Sequence, residues 1–220
     1  NGFDLPIGIY PAGTANDFAH NFNLPSALED MTEIYTEDSF VYSDVGMANG
    51  KYFINVASLG CLTDVSQKTD PKVKTSFGIF SYYLKGIEEF QKLRTIKVRV
   101  ISEEYTFEDE IYFMLVMNGK SAGGFKKVSP ESEISDGMFE VIIFKKCPVL
   151  ELMNVLTKIL RGEHTKNPNV RYFRTSKLTV ECEDETGTDL DGERGVPFPL
   201  EIKVVLKGLR ILRQERVNPL

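Results

Sequence analysis

The sequence predicts an α+β chain: a short α/β opening, then a large β-rich region that carries two helices. Three observations predict it. An apolar stretch at the start runs into a turn and a helix-like pattern. From Phe40 onward, short apolar runs are bounded by turn residues, the mark of strands. After that point only Ser76–Leu93 and the stretch behind Pro148 keep helical spacing. The change of character puts a boundary near residues 37–43.

In chain order, Leu5–Tyr10 reads as a short buried strand, and Asn16 or Asp17 as the cap of a helix holding Phe18 and Phe22. Pro25–Tyr35 reads as a second helix, with Leu28, Met31 and Ile34 on one face. Phe40–Ala48 and Lys51–Ser58 flank Asn49-Gly50, a strong hairpin signal. Ser76–Leu93 is helical, with Phe77, Phe80, Leu84, Ile87 and Phe90 near helical spacing. Ile96, Val98 and Val100 alternate with Lys97 and Arg99, as in a half-buried strand. Ile111–Asn118 and Met138–Phe144 are near-continuous apolar strands. Pro148 opens a helix with Val149, Leu152, Met153, Leu156 and Ile159, and Gly162 stops it. Tyr172, Leu178–Cys182 and Leu200–Leu206 supply further strands, and Gly208–Leu220 reads as a tail.

Composition narrows the function. The 220 residues suit one large domain or two small ones, long enough for a core without disulfides. A net charge of -6 and a pI of about 5.1 argue against a general nucleic-acid binder. Cys61, Cys147 and Cys182 lie far apart, which fits a reduced, cytosolic compartment. No apolar run reaches the roughly 18 residues of a membrane span. The first residue is Asn1 and not methionine, so the expectation is a fragment.

Four segments invite chemistry. In Gly13-Thr14-Ala15-Asn16-Asp17 a glycine turn leads into a helix start, whose free N–H groups favour phosphate. Asp17 fits there if Mg²⁺ lies between it and the phosphates; the plainer reading is a capped helix after a turn. Asn118-Gly119-Lys120-Ser121 resembles the end of a phosphate loop, but Met114 stands where the motif needs glycine. The nearby Gly123-Gly124 pair marks a bulge or a ligand approach, against a plain β-turn. Ser135-Asp136-Gly137 alone is a turn. Asp189-Leu190-Asp191-Gly192-Glu193 puts three acids on a tight turn, either solvated or placed near a hydroxyl substrate or a metal. With His20 and His164 the only histidines, a histidine-rich metal site is disfavoured.

Together, "PIGIYPAGTANDFA", "MNGKSAGGFKKVSP", "SDGMFEVIIF" and "DLDGE", in that order, resemble the diacylglycerol kinase catalytic family, particularly its soluble bacterial lipid kinases. Sphingosine and ceramide kinases are more distant relatives. The resemblance covers nearly the whole chain. It implies that residues 1–40 are the remnant of an α/β nucleotide-binding domain, 41–207 a β-rich, sandwich-like domain, and 208–220 a tail returning to the first domain. It implies ATP as phosphoryl donor, with Gly13, Thr14, Asn16 and Asp17 at the nucleotide and Mg²⁺. It further implies a structural Mg²⁺ at Asp136 with the carbonyls of Glu133 and Met138, and Glu193 as catalytic base. The family's Gly-Gly-Asp-Gly-Thr loop lies upstream of the motif at Gly13, and the chain begins after that place, so a truncated kinase, itself possibly inactive, is expected.

The expected reaction moves the ATP γ-phosphoryl group to a lipid hydroxyl, with a diacylglycerol as the default substrate. The resemblance implies a cytoplasmic protein in peripheral contact with the inner membrane face. Homodimers are common enough to be an expectation. The alternatives are an NAD-kinase-like enzyme with a soluble substrate and a non-catalytic binding module.

Overall fold

The computed structural model describes residues 5–13, 15–22, 24, 39–61 and 93–213. The expected helices at Pro25–Tyr35 and Ser76–Leu93, and Thr14, lie outside these residues apart from Leu93. The described elements are a one-turn helix α1 (Asp17–His20), eleven strands and a second helix α2 (Val149–Ile159) followed by a 3₁₀ turn at His164–Lys166. The strands are β1 (Phe40–Ala48), β2 (Lys51–Phe53), β3 (Val56–Gly60), β4 (Ile96–Ser102), β5 (Thr106–Met117), β6 (Phe139–Lys145), β7 (Val170–Thr175), β8 (Lys177–Cys182), β9 (Thr188–Leu190), β10 (Glu193–Arg194) and β11 (Leu200–Leu212).

All eleven join one antiparallel sheet in the order β10-β9-β3-β5-β4-β8-β11-β1-β2, with β6 and β7 added along β5. The sheet curls over a shared core. Phe53, from the β2 end, stacks on Phe139 of β6 at 5.6 Å between ring centroids. Gly46 makes this possible: a Cβ there would stand 2.0 Å from the Phe53 ring. Ala57, Val98, Val100, Met114, Val116, Val141, Ile143, Val180 and Ile202 fill the same core.

The near-continuous apolar strands β5 and β6 are covered on both faces. Met114 and Val116 point into the curled core, whereas Phe113, Leu115 and Met117 point outward to α2. That helix returns Leu152, Val155, Leu156 and Ile159, spaced for one face. Each such side chain contributes roughly 1.5–3 kcal/mol by leaving water. Gly162 ends the helix as expected: its N–H reaches the Ile159 carbonyl at 3.0 Å, and Glu163 N–H reaches Lys158 at 3.1 Å.

Four local expectations are corrected. Leu5–Tyr10 forms no strand; Ile7 makes a single parallel bridge to Ile211, and Leu5 stays 70% exposed. Asn16 does precede α1, but its side chain does not cap it. Lys51–Ser58 is two strands, broken at Ile54-Asn55, where the N–H groups turn to a side chain across the sheet. β11 runs on to Leu212 instead of giving way to a tail at Gly208, because Leu209–Leu212 pair with Phe40–Ser43 of β1.

Candidate active site

The four segments meet at the end of β5. Asn118, fully buried, donates from Nδ2 to the carbonyls of Asp44 (2.8 Å) and Ile54 (3.0 Å), and from its backbone N to Asn55 O (2.9 Å). Its own carbonyl accepts the Ser132 hydroxyl at 3.2 Å. Asn55 donates from Nδ2 to Ser121 O at 2.9 Å. Two buried amides therefore tie the break between β2 and β3 to the loop behind β5.

That loop holds Asp17. Gly123 and Gly124 take left-handed φ of 63° and 81°. Gly124 N–H then donates to both Asp17 carboxylate oxygens, at 3.1 and 3.2 Å, and Ser121 Oγ donates to Asp17 O at 3.2 Å. The expected close approach at the glycine pair is thus to Asp17. Burial pushes the Asp17 carboxyl up, and the Gly124 and Gly123 N–H groups and His20 oppose it. Upstream, Asn16 and not Gly13 takes the left-handed conformation, at φ 51°. Its Oδ1 accepts Gly13 N–H at 2.7 Å and its Nδ2 donates to Gly13 O at 2.6 Å. α1 is a single turn, so few aligned peptide dipoles stand behind this loop. The segment offers a pinned loop and a carboxylate instead.

The three acids of the Asp189–Glu193 turn divide their work. Asp189 Oδ1 accepts Gly192 N–H at 2.9 Å and shapes the turn. Asp191 accepts the N–H groups of Ile54 (2.5 Å), Asn55 (3.0 Å) and Val56 (2.8 Å). Burial raises its pKa, and those three N–H groups pull it back. Glu193 projects: its side chain is 81% exposed, with Lys51 Nζ at 3.7 Å. It is the exposed carboxylate of the turn, and Asp191 fixes that turn to β3.

The Asp136 turn hangs on Asp44, a residue the sequence reading passed over. Asp44 is 2% exposed at a bulge in β1. Its carboxylate accepts Gly137 N–H at 2.8 Å and Lys207 N–H at 2.7 Å, and its own N–H donates to Ile134 O at 2.7 Å. Asp136 Oδ1 accepts Met138 N–H at 3.0 Å, and Oδ2 pairs with Arg174. Among the described residues no group of three or more His, Cys, Asp or Glu could hold a metal. A cation here would depend on Asp136 and on main-chain oxygens such as those of Glu133 and Met138. That all-oxygen set suits a hard divalent ion, and in this structure the Asp136 carboxylate pairs with the Arg174 guanidinium.

Hydrogen bonds thus connect Asp17, Asn55, Asn118 and Asp191, with Asp136 joined through Asp44. The signal for Asp44 was present: it is a lone carboxylate inside an apolar strand. Asn55 carries no charge and gave none, and Asn118 stood out only as the start of the Asn118–Ser121 turn, not as a buried tie.

Residues 55–213 match the model of the YegS C-terminal NAD kinase beta sandwich-like domain, and residues 1–48 that of the diacylglycerol kinase catalytic domain. A diacylglycerol kinase of Bacillus subtilis strain 168 is 35% identical over 211 residues, 94% of this chain and 68% of that protein. One from Staphylococcus saprophyticus is 35% identical over 193 residues, and the chain spans 63% of its length. A crystal structure of a candidate diacylglycerol kinase from Bacillus anthracis strain Sterne superimposes with a TM-score of 0.81 at 25% identity, over 96% of this chain and 69% of that one. A second structure from that organism, 20% identical with a TM-score of 0.72, supports the fold alone.

Proposed function

The chain belongs to the diacylglycerol kinase family, and from that premise we propose that the full-length protein transfers the γ-phosphoryl group of ATP to a lipid hydroxyl, a diacylglycerol by default. The observation that carries this reading is the convergence of Asp17, Asp191 and the Asp136 turn on one pair of buried amides, Asn55 and Asn118. Such a reaction needs positioned groups and charge neutralisation more than covalent help.

In this reading Gly13, Thr14, Asn16 and Asp17 form the nucleotide side. The loop closed by Asn16 sets the backbone, and the Gly124 N–H fixes the Asp17 carboxylate. Glu193 accepts the proton of the lipid hydroxyl. That oxygen forms the new bond to the γ-phosphorus as the bond to the ADP oxygen breaks. Exposure keeps Glu193 within reach of a substrate, while Asp191 keeps its turn in place. Mg²⁺, when bound, would neutralise phosphate charge, and Asp136 with the carbonyls of Glu133 and Met138 would hold a structural ion. The substrate places the protein at the inner membrane face by peripheral contact. No helix among the described residues is long and apolar enough to cross a membrane.

The match to an NAD kinase beta sandwich-like domain favours one rival, a kinase of a soluble hydroxyl substrate. Full-length protein given γ-labelled ATP, Mg²⁺, vesicles containing diacylglycerol, and NAD decides between them. The lipid reading predicts label in an organic-soluble product. Label confined to the aqueous phase would overturn it.

A further inference from the structure

Glu140 stands directly across from Arg174 in the β6–β7 ladder. It is 1% exposed, a carboxylate flanked by Phe139 and Val141 in a largely apolar strand. Oε1 accepts Arg174 Nε–H at 3.0 Å, and Oε2 accepts the Tyr172 hydroxyl. The same guanidinium reaches outward through Nη2 to Oδ2 of Asp136. One cation thus bridges two carboxylates, the buried one beneath and the turn carboxylate above. The planar fork of arginine allows this, where a lysine ammonium would act as a point charge.

We propose that Arg174 is the resident counter-cation of Asp136, and that its sharing with Glu140 sets how tightly a divalent cation is held there. The inference rests on the reading of the Glu133–Met138 turn as a cation site. A divalent ion at Asp136 meets the Arg174 charge, which weakens its hold. Glu140 offsets that charge from below. Arg174 and Glu140 are positioning residues: they act on the ion through Asp136.

Titration calorimetry of MgCl₂ into the full-length protein tests this without any turnover. Asp136→Asn should weaken binding at least about tenfold, since it removes the one carboxylate of the site. Arg174→Gln should tighten binding about three- to tenfold, because it removes a nearby like charge. Arg174→Lys keeps the charge but loses the fork that shares it with Glu140, so it should not tighten binding as Arg174→Gln does. Glu140→Gln should weaken binding, because the full arginine charge then faces Asp136. A merely structural role predicts weaker binding in both Arg174→Gln and Glu140→Gln, so the opposite signs are the signature. Unchanged or weaker binding in Arg174→Gln overturns the inference alone. Should Glu140→Gln fail to fold, Arg174→Gln still decides, its side chain being 44% exposed. Wild-type binding that survives Asp136→Asn, or no binding at all, overturns the cation reading and the inference with it.

Discussion

Asp191 and Glu193 are two residues apart and do opposite things. One spends its carboxylate on three main-chain N–H groups, and the other projects its carboxylate from the surface. Asp191→Ala would leave those donors without their acceptor, at a cost of at least about 2 kcal/mol. Urea unfolding monitored by far-UV circular dichroism measures it, and a loss under about 0.5 kcal/mol would count against the anchoring role. In the sequence the acids of this turn look alike. What separates them is the register of β9 on β3, which sets Leu190 against Ala57 and brings Asp191 up to the broken strand. That register joins segments more than a hundred residues apart, and a local pattern does not contain it. The same holds for Asn55 and Asn118. A neutral amide in a sequence reads as a turn former, and its work as a buried tie exists only once both strands are in place.

The elements that were legible are those whose cause is local. The Asn49-Gly50 hairpin, the alternation in β4, and the Pro148-to-Gly162 span of α2 all follow from spacing and turn chemistry. The misread elements have distant causes. The split between β2 and β3 comes from Asp191, and the length of β11 comes from the far half of β1. The loop behind β5 is likewise set from outside. His164, fully buried after α2, holds Val128 O through Nε2 at 2.8 Å and stacks on Phe144. Burial lowers its pKa, with the Val128 carbonyl opposing. The unfolded chain therefore binds the extra proton as pH falls below about 6.5, and the folded chain resists it. Stability from this group is complete above that value and declines below it, by no more than about 1.4 kcal/mol per pH unit. Stability curves of wild type and His164→Gln should differ by a constant above pH 7 and converge toward the variant on acidification. Parallel curves down to pH 5 would contradict this.

At the scale of the molecule, the sheet supplies the frame and the loops at one end of β5 carry the proposed site. β5 and β6 were legible as near-continuous apolar strands, and the structure covers one face with the curled core and the other with α2. The curl itself was not legible, because it depends on Phe53 crossing to Phe139 over a glycine. The four motifs were legible as a set, since their order and residue types mark the family. How they are joined was not.

The account's central claim is that this junction presents Glu193 as the base of phosphoryl transfer to a lipid hydroxyl. The most direct measurement is the turnover of full-length wild type and Glu193→Gln on Mg·ATP and diacylglycerol vesicles, with thermal unfolding followed in parallel. The account predicts a fall in kcat of about 10²–10⁴-fold, the range for losing a general base, with no change in unfolding temperature. A loss under about tenfold in a fully folded variant would contradict it.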